Sequence, residues 1–465
     1  MSNPILQSNQ SSAVVATVNE SQTMSPWVYN ETNRLVVPHA MQVLPINHSS
    51  GTVGPSKTIS FDIAKNGLVQ GLWLKVVMKC TDKADETDAP VQSETTAGES
   101  GGQLTGQVNA EGFTAMGLLK LIQEIRLTTS GRIVESLDKF QILARIADLP
   151  LGQRQAVLNA YRCNGDPDQG GTNDTYEACL WLPFYFAKDS ARYHINSNFA
   201  EPFQVQVQFS ACTDVLYETG TAFNTDYSPQ DADLLVHYRQ LDEKTINDVI
   251  SKNYGDGLLS QIVHISKKEA LKSHIVTSAI TAANRKHAGL QTVEFEMKEN
   301  DAIESMYIMV EADRKPDATP GSATAGSGSY VGSQLDNCPV EITEVELKFN
   351  NTSVLKVPGE FLRYFGRWGM HGMCGDGSDS ADGLSPTRHV YKIDFGLDHT
   401  KGAFSNIVAL REVSNPKCII KFAPYVQAGA GTSTQLTYNV HVIYDTATFL
   451  STSSATGRVN LSISS

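Results

Sequence analysis

The clearest pattern of apolar and polar positions lies in residues 61–78, which read FDIAKNGLVQGLWLKVVM. Phe61 and Ile63 alternate with polar residues, and the run after Asn66-Gly67 is apolar and rich in residues that favour strands. Asn-Gly is a strong turn dipeptide. The pattern therefore predicts two strands joined at Asn66-Gly67.

The same pattern returns in the second half of the chain. Residues 295–312, FEMKENDAIESMYIMVEA, align with it without a gap, so that Phe61 matches Phe295 and Trp73 matches Tyr307. The copies lie 234 positions apart (295 − 61), far more than the roughly 20–50 residues of a solenoid repeat. This spacing predicts a duplicated domain.

Further matches follow in the same order in both halves. Three pairs of segments correspond, namely 121–127 with 341–347, 203–209 with 418–422, and 235–238 with 439–442. A short helix-like piece carries Phe140 in the first copy and Phe361 in the second. Long polar loops, at residues 81–114 and 313–338, take the same place in each copy.

Many short strands with little helix are typical of β-sandwiches, and eight strands in two sheets make a jelly roll. We therefore predict an all-β fold of two tandem eight-stranded jelly rolls, with short helices and long loops. In a jelly roll, consecutive strands usually lie in opposite sheets. Asn66-Gly67 is then either a two-residue hairpin turn or a corner that crosses between sheets.

The predicted division of the chain has five parts: an N-terminal arm (1–52), jelly roll 1 (53–241), an inter-barrel connector (242–290), jelly roll 2 (291–450) and a C-terminal tail (451–465). The connector is the most helix-like region, with candidate helices at 243–250 and 267–283. The arm is either a partly disordered tail or a segment that becomes ordered against a neighbouring subunit. Its spaced apolar residues favour the second alternative.

Composition narrows the function classes. The formal net charge is −13 and no run is rich in Lys or Arg, which argues against a surface that wraps nucleic acid. The seven cysteines are scattered without a CxxC pair, which favours a reducing compartment. We expect neither a secretory signal nor a transmembrane helix, because the N-terminus is polar and no long apolar run occurs.

The sequence gives little support for catalytic or metal-binding residues. A two-barrel metalloenzyme would need closely spaced histidines and a carboxylate, whereas His237, His371 and His441 are dispersed. The acidic loop from Asp376 to Asp382 resembles a Ca²⁺ loop without EF-hand spacing, so Ca²⁺ binding there stays open. We predict no catalytic, cofactor-binding or metal-binding residues, no cofactor and no enzyme activity.

The segment that begins at Phe361, FLRYFGRW, has two interpretations. It is either a short helix that plugs the end of the second barrel or an Arg/aromatic anchor at a subunit interface, the composition typical of hot spots. Both roles are compatible.

Four local patterns carry a family resemblance: Lys65-Asn66-Gly67 before an apolar strand, Phe199-Ala-Glu-Pro-Phe203 before an alternating strand, Leu234-Leu-Val-His-Tyr238 followed by Leu241-Asp242-Glu243, and Phe404-Ser405 with Ile407 and Leu410. In this order, the chain resembles the double jelly-roll major capsid proteins of tailless icosahedral double-stranded DNA viruses. The similarity is closest to the branch of nucleocytoplasmic large DNA viruses. Asn406 departs from that pattern, where a basic residue is usual.

The resemblance implies a structural protein that trimerises into pseudo-hexagonal capsomers, which tile an icosahedral shell. It places the protein in the capsid shell of a virion that is assembled inside the host cell. The implied partners are further copies of the chain, neighbouring capsomers, minor capsid and penton proteins and, indirectly, an internal membrane, without direct contact to nucleic acid. The alternative is a two-domain carbohydrate-binding or carbohydrate-cleaving β-sandwich protein, since fifty acidic residues leave room for paired carboxylates.

Overall fold

The computed structural model describes residues 39–82, 111–113, 119, 121–149, 153–154, 156–157, 160, 175–188, 195–196, 201–211, 216–218, 225–241, 258–276, 290–298, 302–312, 340–362, 390–395, 408–424, 436–453 and 459–462. Several predictions fall on other residues and lie outside this description. They concern the helix at 243–250, nearly all of both long loops, His371 and the acidic loop at 376–382.

The elements of the first half are mainly strands. In chain order they are β1 (His39–Asn47), β2 (Ser50–Gly51), β3 (Thr58–Asp62), β4 (Leu68–Asp82), β5 (Glu111–Phe113), β6 (Ile122–Thr129), β7 (Arg132–Asp138), α1 (Lys139–Ala147), β8 (Thr175–Trp181), α2 (Tyr185–Lys188), β9 (Ile195–Asn196), β10 (Phe203–Phe209), β11 (Leu216–Glu218) and β12 (Thr225–Leu241).

The second half continues in the same manner. Its elements are β13 (Leu258–Lys268), β14 (Lys272–Val276), β15 (Gln291–Glu296), β16 (Ala302–Ala312), β17 (Ile342–Phe349), β18 (Thr352–Pro358), β19 (Tyr391–Asp394), β20 (Val408–Ala409), the 3-10 helix η1 (Leu410–Glu412), β21 (Lys417–Phe422), β22 (Leu436–Ser453) and β23 (Val459–Ser462).

Each half builds two antiparallel sheets. In barrel one, sheet 1a has the order β1-β12-β4-β8, with β9 beside β4, and sheet 1b has the order β2-β3-β10-β6-β7. In barrel two, sheet 2a has the order β13-β22-β16-β19, with β14, β20 and β23 on its flanks, and sheet 2b has the order β15-β21-β17-β18. Strands β5 and β11 form a separate pair. The predicted all-β fold of two jelly rolls is confirmed.

The strand registers confirm the duplication. Trp73 on β4 lies opposite Leu235 on β12 and Trp181 on β8. Its predicted match, Tyr307 on β16, lies opposite Ile443 on β22 and Lys392 on β19. The two barrels therefore correspond strand by strand and residue by residue along these ladders.

One proposed match was wrong by four residues. The predicted alignment placed His237 on His441, but Leu235 corresponds to Ile443, so the counterpart of His237 is Asp445. An even shift leaves every side chain on the same face of its strand, so the alternation of apolar and polar residues cannot reveal it.

The predicted helix at 267–283 was also wrong where the structure describes it. Strand β13 extends to Lys268, and β14 covers Lys272–Val276; both pair with β22. Four of the five residues of β14 are exposed or half-buried, so this edge strand lacks the alternation that identifies a strand in sequence.

Elements also occur within segments predicted as arm and tail. Strands β1 and β2, within the predicted arm, pair with β12 and β3. At the other end, β23 pairs with β22 inside the predicted tail. The five domain boundaries themselves stay predictions.

Asn66-Gly67 forms a corner between sheets, as the second interpretation holds. Strand β3 belongs to sheet 1b and β4 to sheet 1a. Gly67 has φ of +113°, and a Cβ there would lie 2.7 Å from the Arg239 carbonyl oxygen. The Asn66 amide donates to Gln42 Oε1 at 3.1 Å and accepts from Gln240 Nε2 at 2.9 Å. The corner is thus fixed by close backbone approach and by side-chain hydrogen bonds to β1 and β12.

The apolar core of barrel one continues into barrel two. Val263, Ile265, Met309 and Ile443 of barrel two belong to the same cluster of buried side chains as the core of barrel one. A second cluster fills the interior of barrel two. None of the helices in the described part of the chain meets the length and hydropathy of a membrane-spanning helix.

Candidate functional site: the junction between the barrels

Helix α1 occupies the junction, the region where barrel one meets the outer face of sheet 2a. The Asp138 carboxylate caps the helix by accepting from the backbone N–H groups of Phe140 (3.0 Å) and Gln141 (2.9 Å). The Gln141 side chain accepts in turn from the Asp138 N–H at 3.0 Å, which completes a capping box. All residues from Phe140 to Ala147 are buried, because the helix packs between the two barrels.

A buried ion pair anchors α1 to both barrels. The Arg145 guanidinium donates to Glu135 Oε1 at 2.9 Å and to the His264 carbonyl at 3.1 Å. The Glu135 carboxylate also accepts from the backbone N–H groups of Tyr185 (2.7 Å) and Ser266 (3.1 Å). Glu135 and Arg145 are 1% and 2% exposed, so water does not compete for these contacts.

Burial and charge act in opposite directions on this pair. Burial raises the pKa of Glu135, although the Arg145 charge opposes the shift. For Arg145, burial works to lower the pKa, but the carboxylates of Asp445 and Glu135 outweigh it and raise the pKa overall. Arg145 thus keeps its charge inside the junction.

A second charged group lies beside the first. The Lys392 ammonium is 3.2 Å from Asp148 Oδ1 of barrel one and 3.1 Å from Asp394 Oδ1 of barrel two. The Tyr307 hydroxyl hydrogen-bonds to Asp148 and lies 3.1 Å from Asp445 Oδ2. Burial and these carboxylates hold the pKa of Tyr307 well above its usual value, so the hydroxyl stays protonated.

The rim of the junction combines polar and aromatic contacts. The Gln141 amide donates to the Ser266 carbonyl at 3.2 Å. The Phe140 ring stacks on His441 with a centroid distance of 3.6 Å, and Lys268 Nζ lies 4.8 Å from the same ring centroid. Lys268 also forms an ion pair with Asp138. Burial lowers the pKa of His441.

These contacts act as a rigid connection. Removing one member of a buried ion pair typically costs about 3–5 kcal/mol, because its partner is left charged and unpaired. The buried charges must also align for every contact to form, which fixes the position of one barrel on the other.

The residues singled out in the sequence are dispersed in the structure. His441 lies in the junction, whereas His237 lies on the outer face of sheet 1a, 6.0 Å from Trp73 between ring centroids. Phe361 is 45% exposed and Leu362 is buried; the rest of that aromatic segment lies outside the described residues. Within the described ranges, no three metal-ligating side chains lie close enough to share an ion.

Sequence reasoning missed the charged residues of the junction, namely Glu135, Arg145, Asp148, Lys392 and Asp445. One signal was present, because Arg145 interrupts the apolar helix FQILARIA, where a charge has no water to face. The other four look like ordinary surface charges in the sequence.

The sequence and the structure of the chain were compared with those of known proteins, and both comparisons lead to virus capsid proteins. Residues 29–241 match the family model described as "Major capsid protein N-terminus". A sequence search of curated proteins gives no match.

Solved structures of virus capsid proteins share the architecture over nearly the whole chain. VP54 of PBCV-1 has a TM-score of 0.61 at 11% identity and covers 94% of this chain and 99% of its own. The mavirus major capsid protein has a TM-score of 0.55 at 11% identity, covering 94% and 92%. The Faustovirus major capsid protein has a TM-score of 0.54 at 11% identity, covering 95% and 94%. Residues 29–241, which include barrel one, thus match a capsid-protein family model, and the fold of both barrels is that of the double jelly-roll major capsid proteins.

Proposed function

We propose that the chain is the structural subunit of an icosahedral virus shell, in which three copies form a pseudo-hexagonal capsomer. One observation carries the proposal: two barrels of the same topology dock through different faces. Barrel one uses α1 and β7, whereas barrel two uses the outer face of sheet 2a. A contact between similar units through different faces is heterologous, so it can be repeated until a ring closes.

The number of barrels matches a hexagonal block. Three chains of two barrels give six similar lobes, and a six-lobed block tiles a flat facet without gaps.

The protein acts as a building block and has no catalytic role in this proposal. Its main partners are further copies of itself within the capsomer and in neighbouring capsomers. Minor capsid and penton proteins bind the assembled shell, and any internal membrane is contacted indirectly. The net charge of −13 supports the absence of direct contact with the genome.

Size in solution tests this proposal. The chain has a mass of 50.6 kDa, and we expect light scattering of the purified protein to give three times that mass. Electron microscopy of the same sample should show blocks with a six-lobed outline. A monomer that binds sugar would contradict the proposal and favour the carbohydrate-binding alternative.

A further inference from the structure

Barrel one carries a continuous apolar row on the outer face of sheet 1a. Pro45 lies opposite Leu235, Leu235 opposite Trp73, and Trp73 opposite Trp181. Directly opposed residues of antiparallel strands share a face, and the alternate residues Leu72 and Leu74 point into the core. The row therefore crosses four strands on the side away from the barrel interior.

Two further apolar side chains widen this surface. Met41 and Val43 on β1 are 58% and 55% exposed, and they point to the same side as Pro45. Trp73 extends sideways over Gly71, where a Cβ would come within 3.0 Å of the ring. We call the row together with Met41 and Val43 the acceptor face.

The same positions in barrel two are covered. The counterparts of the row are Lys268, Ile443, Tyr307 and Lys392, which lie opposite one another across sheet 2a. His237 corresponds to Asp445, as described above. Val43 lies opposite His237 and Ser266 lies opposite Asp445, so Val43 corresponds to Ser266. Two residues earlier on each strand, Met41 corresponds to His264. In barrel two these positions contact α1 and β7 of barrel one. The acceptor face, in which Met41, Val43 and Pro45 are exposed and the other three residues are half-buried, is thus the second copy of a surface that is used inside the chain.

The junction and the acceptor face differ in charge at one pair of corresponding positions. In the junction, Lys268 pairs with Asp138 at the end of β7. On the acceptor face, the position of Lys268 is taken by Pro45. Glu124 and Glu344 are matched residues of the two barrels. Glu124 lies opposite Asp138 and Glu344 lies opposite Pro358, so Pro358 at the end of β18 takes the position of Asp138. At this one pair of positions, the acceptor face lacks the cation and the end of β18 lacks the anion. Arg239, opposite Met41, and Glu360, two residues after Pro358, are the charged residues nearby.

The end of β18 also offers apolar side chains. Phe361 follows it at 45% exposure, one position beyond the place that Phe140 takes after β7, and Val354 on β18 is 52% exposed. We call Val354, Pro358 and Phe361 the donor edge. The apolar side chains of the donor edge can pack on the apolar acceptor face. In the junction, Asp138 and Phe140 contact Lys268 and His441 in the corresponding way.

We propose that the acceptor face of one copy of this chain is covered by the donor edge of a second copy. The proposal rests on the proposed capsomer and names the surface that closes it. At these positions the contacts between chains are then apolar, whereas the matching position within a chain holds the ion pair of Lys268 with Asp138. Asp138 of another chain would meet Pro45 where the junction offers Lys268, so this pairing lacks one ion pair of the junction and is disfavoured.

A pair of variants tests the acceptor face. Met41→Asp/Val43→Asp is expected to abolish the trimer at concentrations where the wild type is fully trimeric, as measured by sedimentation velocity. Leu271→Asp/Ile275→Asp is the matched control, because Leu271 (48%) and Ile275 (51%) are similarly exposed apolar residues that belong to neither the acceptor face nor the donor edge; it should remain trimeric. Equal trimer content in both variants would overturn the inference.

Footprinting of the unmodified surface gives a second readout. Hydroxyl radicals should oxidise Met41 slowly in the wild-type trimer and quickly in Phe361→Asp, which should be monomeric. Slow oxidation in monomeric Phe361→Asp would show that Met41 is covered by its own chain and would refute the second copy as occupant. A wild type that never trimerises refutes the proposed function, whereas a trimer that tolerates both substitutions refutes only this interface.

Discussion

At the scale of single residues, the junction depends on charges that are hidden from water. Arg145, Glu135, Asp148, Lys392 and Asp445 are each at most 7% exposed, yet each has an opposite charge nearby. A buried charged group is tolerated only when an oppositely charged group is buried beside it, because burying one charge alone costs free energy. The geometry of the junction is therefore sensitive to a change at any one of them.

Replacing Arg145 tests this dependence. Arg145→Met leaves Glu135 buried without its cation, and we expect the free energy of unfolding to fall by about 3–5 kcal/mol in urea titrations. Arg126→Met is the control, because its ion pair with Glu124 is partly exposed and should be worth about 0–1 kcal/mol. Similar losses in the two variants would contradict a special role for the junction.

His441 makes the junction sensitive to acid. Burial between Phe140 and sheet 2a lowers its pKa in the folded state below the unfolded value of about 6.5, with Glu311, Lys268 and Asp138 as the nearby charges. The neutral ring is favoured by folding, so its contribution is complete above that pH and is lost as the pH falls through the folded-state pKa. We expect His441→Gln to flatten the loss of stability between pH 7 and 5, which thermal unfolding would measure; an unchanged slope would exclude this role.

At the scale of elements, the corner at Asn66-Gly67 shows what local sequence can establish. The dipeptide predicted a turn, and its place between β3 and β4 is confirmed. Whether the chain folds back or crosses to another sheet depends on Gln42, Gln240 and Arg239, which are distant in sequence. Local propensity therefore identified the turn, and the tertiary contacts decided its direction.

Two glycine substitutions separate these effects. Both Gly67 and Gly131 have positive φ, but only at Gly67 would a Cβ meet backbone, 2.7 Å from the Arg239 carbonyl oxygen. Gly131→Ala should cost about 1–2 kcal/mol, as expected for a residue with a side chain in this region. Gly67→Ala should cost clearly more by chemical denaturation, and an equal cost would show that the corner can open without penalty.

At the scale of the whole molecule, the duplication was visible in the sequence because both copies keep the same alternation around Phe61 and Phe295. The junction was not, because its contacts join residues such as Gln141 and Ser266, which are far apart in the chain and carry no shared pattern. The edge strand β14 was missed for a related reason, since half-exposed strands have weak periodicity. The sequence thus predicts the repeated unit better than the contact between its copies.

The long polar loop of barrel one is expected to be dispensable for capsomer formation. It follows β4, and deleting residues 98–106 should leave the trimer intact in light scattering. Loss of the trimer would assign the loop to an interface between chains.

The residues before β1 are expected to act between capsomers. Deletion of residues 1–32 should spare the trimer, because β1 begins at His39 and keeps its pairing with β12. Shell assembly should be impaired, as seen by electron microscopy of assembly reactions, and normal shells would refute this role of the arm.

The position of β22 in sheet 2a imposes an order on folding during synthesis. Barrel one possesses its last strand once Leu241 is made, whereas sheet 2a needs β22, which pairs with β13, β14, β16 and β23 and ends at Ser453. At bacterial and eukaryotic elongation rates the ribosome needs roughly 10–40 s for the intervening segment. During that interval α1 lies on a nascent chain without the surface that buries Phe140 and Arg145. The connection between the barrels is therefore expected to form only after β22 has been made, and the nascent first barrel exposes Phe140 until then.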